Sequence, residues 1–258
     1  MNRLPISVCM ISGAEAPRVG RALESVAGWS SELILVLNQE VNDGTEEIAH
    51  KRGAKVFREP WRGFVEQKNS ALTRASQPWL LGLDADEAVS SELRDEIFAL
   101  FAESPEQYAA YSFPRCSFYF GRWIRHGDWY PDRCVRLWQR GKGRWMGIDP
   151  HAALEVEGEI CKLHHDLHHY PNETLNHQVA KTVRYADDFV RHCAENGRRI
   201  TFPYLVVRPT WRFVRGYFFK LGFLDGWQGY TIAWLTAFYT FLRYVKAREA
   251  QLKVDAPK

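Results

Sequence analysis

WLLGLDADEAVS, residues 79–90, joins an uncharged run of five residues to a cluster of acids, Asp84, Asp86 and Glu87. A run of that length, bounded by turn-forming residues, reads as a buried strand. Carboxylates this close together repel one another unless something positive sits among them. Three similar runs precede it: ISVCMI (6–11), LILVL (33–37) and AKVF (54–57). Between the four lie stretches with helical patterning, about 17–27, 45–52 and 63–75. Strand and helix alternating at this spacing predict βαβ units and a parallel sheet. Ligands of such sheets bind beyond the carboxyl ends of the strands, so Asp84 and Asp86 stand where a site belongs. Gly53 falls where a helix C-terminal glycine would, and Ser90 or Ser91 can cap the next helix, with Glu92 in its first turn.

The chain has 258 residues, 46% hydrophobic and 25% charged, which suits a folded globular protein of one generous domain, or a domain with an appendage. Its five cysteines include no CxxC pair, and the odd count speaks against a disulfide framework and for a reducing cytosol. The opening MNRLPISVCMISG reads as the approach to a first strand, too short and too soon charged for a signal peptide. Net charge is +3, but residues 198–258 hold eleven Lys/Arg against three Asp/Glu. Fifteen of the 36 aromatic residues lie between Phe202 and Tyr244. A segment both basic and aromatic suits nucleic acid or an anionic membrane surface.

Beyond residue 109 the pattern changes. Residues 111–124 are aromatic and partly alternating, and RWIRHGDWYPDRCVRLWQRGKGRW (122–145) is rich in arginine, as expected of strands and loops folding over a site. Residues 178–193 read as a helix, Pro203 and Pro209 as a linker, and about 211–223 and 230–248 as aromatic helices. There is no internal repeat and no low-complexity tract.

Two carboxylates at i and i+2 on a strand end can converge on one divalent cation. Mg²⁺ and Mn²⁺ prefer carboxylate oxygens and keep positions open for substrate phosphates. Such an ion neutralises charge on a leaving diphosphate. A bare DxD equally describes a solvated acidic turn. A haloacid-type phosphatase also places DxD after a strand, but after the first strand of its fold. Here three strand-like runs come first, which favours a nucleotide-sugar site.

The succession ISVCMI, NDGT (42–45), WRGFVEQKNSAL (61–72) and LGLDADE (81–87) resembles family-two inverting glycosyltransferases of the GT-A fold. GRWIRHGDWYPDRCVRLW (121–138), DPH (149–151), the His169-Tyr170 pair and FFKLGFLDGWQGY (218–230) resemble the lipopolysaccharide core-biosynthesis branch. That branch includes β-1,4-glucosyltransferases acting on inner-core heptose. The resemblance implies an α/β, Rossmann-like GT-A domain over residues 1–200, with a mostly parallel sheet and helices on both faces. It is followed by a basic, aromatic, membrane-associating helical segment over 201–258.

By the same resemblance, Asp86 ligates the metal and Asp84 contacts the donor ribose or metal-bound water. Lys68 and Asn69 sit where the family has donor-contacting residues. Asn38 stands where the family usually has an aspartate that contacts the base; it can donate and accept but is no carboxylate. Gly13-Ala14-Glu15 replaces a more usual Lys-Asn-Glu. Inverting transfer needs a general base at the acceptor hydroxyl. The family's downstream histidine is often followed by an acid, but His151 is followed by Ala152. Asp132 is therefore the first candidate base and Asp149 the second. His151 is a candidate third metal ligand, or a core histidine. Arg122, Arg125, Arg133 and Arg136 are candidates to hold acceptor phosphates or carboxylates, with ordinary surface arginine the alternative.

HHDLHH (164–169) has spacings usable for zinc but no accompanying cysteine. Its match to the family's HY puts it on a strand or loop beside the site, with one histidine approaching the metal. Residues 226–242 carry no charge, near the lower limit for a membrane span, but include Gln228, three threonines and two glycines. With basic flanks, a helix lying in the membrane interface fits better, packing within a helical appendage being the other reading. No nucleic-acid motif accompanies the basic residues, so nucleic acid is not an expected partner. The expectation is a cytoplasmic enzyme, peripheral on the inner face of the cell membrane and dependent on Mg²⁺ or Mn²⁺. It moves a hexose, glucose by resemblance, from a nucleotide sugar (a UDP-sugar) to an anionic glycolipid acceptor of lipopolysaccharide-core type. The alternatives are a polyprenyl-linked glycan or protein acceptor, or a nucleotide-sugar binder without catalysis.

Overall fold

The computed structural model describes residues 3–149, 151–171 and 174–255. In chain order the elements are β1 (Leu4–Ser12), α1 (Ala16–Ala27), β2 (Ser30–Asn38), α2 (Thr45–Lys51), β3 (Lys55–Glu59), α3 (Phe64–Thr73), β4 (Trp79–Gly82), β5 (Glu87–Val89), α4 (Ser91–Glu103), β6 (Ala110–Tyr119), β7 (Arg122–Ile124), β8 (Asp132–Gln139), β9 (Gly143–Ile148), β10 (His151–Val156), β11 (Ile160–Lys162), β12 (Leu167–His169), α5 (Leu175–Glu195), α6 (Phe202–Val214) and α7 (Gly226–Asp255). Contacts divide the chain into two compact units. One runs to Cys116 and resumes over Asp132–Tyr170; the other holds Ser117–Pro131 and everything from Pro171.

The main sheet of the first unit runs β3-β2-β1-β4-β8-β6-β12-β5. Strands β3, β2, β1 and β4 are parallel, as the sequence predicts, and β8 then pairs antiparallel with both β4 and β6. The sheet is thus parallel in its N-terminal half and mixed beyond it. Strand order reverses at β1, which opens a crevice past the carboxyl ends of β1 and β4. Side chains alternate across β1. Ile6, Val8 and Met10 join Val19, Leu23 and Val26 of α1 and Leu93 and Ile97 of α4 in one core. Cys9 and Ile11 join Ala71 of α3, Trp138 and Trp145 in a second. Both sheet faces are therefore covered, which is why β1 and β2 read as continuous apolar runs. Ser90 Oγ accepts from Leu93 N–H at 3.1 Å and caps α4. Gly53 follows α2 with φ +80°.

The second unit begins with a hairpin. Tyr119 pairs with Arg122 across Phe120 and Gly121, both at positive φ, the geometry of a type I′ turn. Phe120 carries the cost of that conformation while stacking on Trp227, centroids 5.4 Å apart. Three helices follow. Phe189, Val190 and Cys193 of α5 pack with Tyr204 and Leu205 of α6 and Tyr244 and Ala247 of α7. This packing places α5 with the C-terminal helices, so contacts do not divide at residue 200/201 where the sequence suggested a boundary. The expected Pro203/Pro209 linker is helix α6: Pro203 occupies its first turn, where a missing N–H costs nothing, and Pro209 lies inside it. Ile232, Ala233, Ala237, Tyr244 and Ala247 form the buried face of α7, whereas Trp227, Trp234, Phe238 and Phe241 recur at helical spacing on its exposed face. No helix among the described residues is long and apolar enough to cross a membrane.

Candidate active site

The crevice past β1 and β4 is a cavity of about 360 Å³ within the first unit. Ser12 and Gly13 come from the end of β1, Asp84 and Asp86 from the turn after β4, and Phe64 and Lys68 from α3. Arg115 and Arg136, from β6 and β8, close the inner wall, and His169 of β12 and Ala152 of β10 complete it. Register fixes His169 in place. It pairs with Glu87, and Tyr170 N–H donates to the Asp86 carbonyl at 2.7 Å.

Positive charge among the acids comes from the protein itself. Lys68 Nζ donates to Asp84 Oδ1 and Arg136 Nη2 to Asp84 Oδ2, both at 2.6 Å. Arg136 also donates to Glu87 Oε1 at 2.6 Å, and both those side chains are buried. Arg115 continues the chain, reaching Glu87 at 3.2 Å and Asp132 Oδ2 at 2.5 Å. Burial alone would raise the Asp84 pKa, but Arg136 and Lys68 outweigh it and hold the carboxyl well below the usual carboxylate range. Asp86 is also lowered: burial works upward, and the hydrogen bond and charge of His169, with Arg18, overcome it and the repulsion of Asp84. His169 Nε2 lies 3.5 Å from Asp86 Oδ2, and Arg18 Nη1 lies 3.9 Å from the same oxygen. The Trp145 ring lies beneath both cations, 4.3 Å from Lys68 Nζ and 5.6 Å from the Arg136 guanidinium.

Of the residues singled out from sequence, Lys68, Asp84, Asp86 and Arg136 meet in this cavity. Asn69 does not line it; its side chain donates to the Trp145 carbonyl at 2.8 Å and accepts from the Trp145 N–H at 3.0 Å. Asn38, at the end of β2, accepts from Glu40 N–H at 3.3 Å. Asp132 is half-exposed beside Arg115. Asp149 accepts from the N–H groups of Phe64 and Val65 at 3.0 and 3.1 Å, which caps α3 from another strand connection. The helix start needs Gly63: its φ is +100°, and a Cβ there would fall 1.8 Å from Asp149 Oδ2. The His151 side chain lies outside the described residues. Arg133 donates to the carbonyls of Ser112 and Leu163 at 3.0 and 2.8 Å. Arg122 and Arg125 belong to the second unit, where Arg122 donates to the Leu224 carbonyl at 2.9 Å and the Arg125 N–H to Asp225 at 3.0 Å.

The profile of Glycosyl transferase family 2 matches residues 7–155, which hold β2 to β9 and all of the cavity's lining but His169. The chain is a family 2 glycosyltransferase. A glycosyltransferase of Rickettsia conorii, itself uncharacterised, is 30% identical over 96% of this chain and 91% of its own length. The lipopolysaccharide core biosynthesis glycosyltransferase LpsC of Rhizobium meliloti is 28% identical over 95% of this chain and 96% of its own. Among solved structures, TarS of S. aureus in complex with UDP-GlcNAc has a TM-score of 0.53 at 13% identity, covering 98% of this chain and 92% of that one. The mannosyltransferase PcManGT of Pyrobaculum calidifontis, in complex with GDP-Man and Mn²⁺, has a TM-score of 0.53 at 15% identity, covering 100% and 77%. These likenesses share the GT-A fold.

Three residues of this glycosyltransferase site escaped the sequence reading as site residues. Arg115 had no local signal, and Glu87 was visible as one of the clustered acids but not as the partner of Arg115 and Arg136, because that pairing depends on how the strands come together in the sheet. His169 did have one, the HY pair that put the histidine cluster near the site. Gly13 and Ala152, both departures from the family pattern, line the cavity and leave it without the lysine and acid usual at those positions. The lining then carries three acids (Glu15, Asp84, Asp86) against three bases (Lys68, Arg115, Arg136), before any nucleotide diphosphate adds its own negative charge. No group of three metal-ligating side chains occurs among the described residues. Asp86 and His169 fit a divalent cation that takes its remaining ligands from water and substrate phosphate.

Proposed function

We propose that this glycosyltransferase moves a hexose, glucose by family resemblance, from a UDP-sugar to a lipopolysaccharide-core-type acceptor anchored in the membrane, with inversion and with a divalent cation. The observation that carries the proposal is the placement of Asp86 and His169. They face an open cavity whose carboxylate, lysine and arginine charges cancel once His169 is neutral, as a metal-ligating imidazole must be, so a bound diphosphate needs a further cation. Mixed carboxylate and imidazole ligation favours Mn²⁺ over Mg²⁺. When bound, that ion neutralises charge developing on the departing diphosphate.

The remaining roles fall to the chain's own residues. Lys68 and Arg136 fix Asp84 as an ionised acceptor at the cavity wall. Trp61 and Phe64, packed edge to face 4.9 Å apart at the rim, offer apolar faces to a nucleoside or sugar ring. Asp132, aimed by Arg115, takes the proton of the acceptor hydroxyl as the new bond to the anomeric carbon forms and the bond to phosphate breaks. The exposed aromatic face of α7 and the basic C-terminal quarter support peripheral contact with the inner face of the cell membrane. LpsC, similar over nearly the whole chain, supports the acceptor class.

The test is transfer by the purified protein from a panel of UDP- and GDP-sugars, with Mn²⁺, Mg²⁺ or EDTA, to acceptors extracted from membranes, with product anomeric configuration read by NMR. Inverted product that requires metal and is lost in Asp86→Ala is expected. Undiminished transfer in EDTA would remove the metal from the proposal. Transfer to a polyprenyl-linked glycan alone would replace the acceptor.

A further inference from the structure

The chain between α6 and α7, within the second unit, exposes apolar side chains in quick succession. A π-helical turn (Arg215–Phe219) leads through Lys220 and Leu221 into a 3₁₀ turn (Gly222–Asp225). Phe218, Phe219, Leu221, Phe223, Leu224 and Trp227 are each 44–69% exposed. Phe218 and Phe223 both pack on Tyr217, with ring centroids 5.0 and 6.2 Å away, and Phe219 packs on Trp211 at 5.6 Å. The exposed rings are therefore neighbours in one patch, not single residues scattered over a surface.

The turn is held in shape from several sides. Its backbone folds back tightly at Gly222, where a Cβ would fall 2.7 Å from the Gly216 carbonyl oxygen, and at Gly229, where one would fall 1.9 Å from that of Gly222. Lys220 N–H donates to the Arg215 carbonyl and the Lys220 carbonyl accepts from Gly127 N–H, both at 2.8 Å. Two acids with buried side chains fasten it. Asp128 meets Arg212, Arg215 and Lys220 at 3.0–3.1 Å, and Asp225 accepts from the N–H groups of Arg125 and His126 at 3.0 and 2.8 Å. Leu221 sits at φ +57°, a conformation that costs most residues free energy and that glycine or asparagine adopts more readily. An exposed leucine at that position serves neither the backbone nor the core, which points to a use outside the fold. Both acids face inward, and residues 196–248 contain nine Lys/Arg against Asp225 alone.

A second copy of this chain seated on the patch would set the same surplus of cations against itself, whereas an anionic lipid surface suits both the apolar side chains and the charge. We propose that the turn between α6 and α7 is a preformed wedge that inserts the apolar side chains of residues 218–224 among the lipids of an anionic bilayer, with Trp227 at headgroup depth. The proposal deepens the membrane part of the reading above and rests on it. It assigns membrane affinity to one turn, not to net charge or to the whole exposed face of α7.

The test uses the full-length protein and sedimentation with vesicles of phosphatidylcholine, with and without phosphatidylglycerol. Wild type is expected to bind the acidic vesicles, and Phe219→Ser/Leu224→Ser to bind them about tenfold or more weakly. The control is Phe202→Ser/Val207→Ser, which removes side chains of the same unit that are at least as exposed but lie outside the turn, and it should lose much less. Equal losses would mean contact spread over the apolar surface and overturn the wedge. Leu221→Asn suits the backbone conformation and removes the apolar side chain. Its thermal midpoint should match or exceed that of wild type while vesicle binding falls, a pair of changes that misfolding does not produce. A lowered midpoint would make Leu221 a packing residue and overturn its place in the wedge. Equal binding to both kinds of vesicle would overturn the anionic assignment. A wild type that ignores vesicles but sediments as a dimer, made monomeric by Phe219→Ser/Leu224→Ser, would give the patch to a second copy. Sugar transfer by wild type to a detergent-dispersed acceptor tests the donor-site reading without vesicles, so transfer there with no vesicle binding would overturn the wedge and leave that reading standing.

Discussion

Arg136 donates to Glu87 at 2.6 Å, and both side chains are withdrawn from solvent, Arg136 in the wall of the cavity past β1 and β4. The same guanidinium nitrogen holds Asp84. Removing Arg136 takes a buried cation from two carboxylates, one of them fully buried, and leaves Asp84 with Lys68 and Glu87 with the longer contact to Arg115. Arg136→Met is therefore expected to destabilise the fold by about 3–5 kcal/mol, read as a fall in the urea midpoint. Adding Glu87→Met to it should recover much of the loss, because the uncompensated buried charge goes with it. A single variant as stable as wild type would show that Arg115 alone suffices for Glu87.

Sequence carried the N-terminal half of this fold and little of the rest, and the reason is physical. Strands β1, β2 and β4 are buried on both faces, so their apolar runs announce themselves, and Asp84 and Asp86 are legible because they break such a run. Strands β7, β11 and β12 have three residues each and no usable periodicity. Arg136 was visible as a residue but not as the partner of Asp84, 52 positions away, since only the pairing of β4 with β8 brings them together. Pro203 and Pro209 looked like a break because a proline's local preference is the same in a linker and in a first helical turn. Only packing against α5 and α7 decides between them.

Glu32 gives a pH dependence far from the active site. It accepts from Ser7 Oγ at 2.6 Å, from Ser76 N–H at 2.9 Å and from Lys55 Nζ at 2.8 Å. Burial opposes its ionisation, but these donors win, and its pKa falls from the ordinary 4.5 to about 2. A lowered folded-state pKa means stability that is complete above 4.5 and is lost as pH falls toward 2. Urea midpoints measured across that window should fall less steeply for Glu32→Gln than for wild type. Parallel slopes would mean that Glu32 keeps its ordinary affinity for protons.

His169 separates donor binding from bond making. It shares Asp86 Oδ2 at 3.5 Å and touches the cavity from β12. His169→Gln keeps a polar side chain but offers no imidazole, so affinity for Mn²⁺ in the presence of UDP is expected to fall about tenfold or more. Its transfer rate should recover at saturating metal. Asp86→Asn should recover far less, because it also removes the negative charge that attracts the ion. Isothermal titration with Mn²⁺, alone and with UDP, measures the first effect, and transfer rates against metal concentration measure the second. Unchanged metal affinity in both variants would place the ion elsewhere.

Asp149 and Asp132 are the two carboxylates from which the sequence offered a general base, and asparagine distinguishes them. Asp149 caps α3 by accepting two backbone N–H groups, one on each carboxylate oxygen, and asparagine keeps an acceptor for only one of them. Asp149→Asn should therefore leave turnover near wild type at some cost in stability, whereas Asp149→Ala should cost about 1 kcal/mol. That second loss should also reach the donor, because α3 carries Lys68, and it should raise KM before it lowers kcat. Asp132 is held by Arg115 from one side and half-exposed on the other. If it removes the acceptor proton, Asp132→Asn should lower kcat by about a hundredfold or more and leave donor KM little changed, since asparagine keeps the contact to Arg115 but cannot take a proton. The informative comparison is between the two asparagine variants. Loss in Asp149→Asn with full activity in Asp132→Asn would reverse the roles, and it would require the α3 cap to open during each turnover.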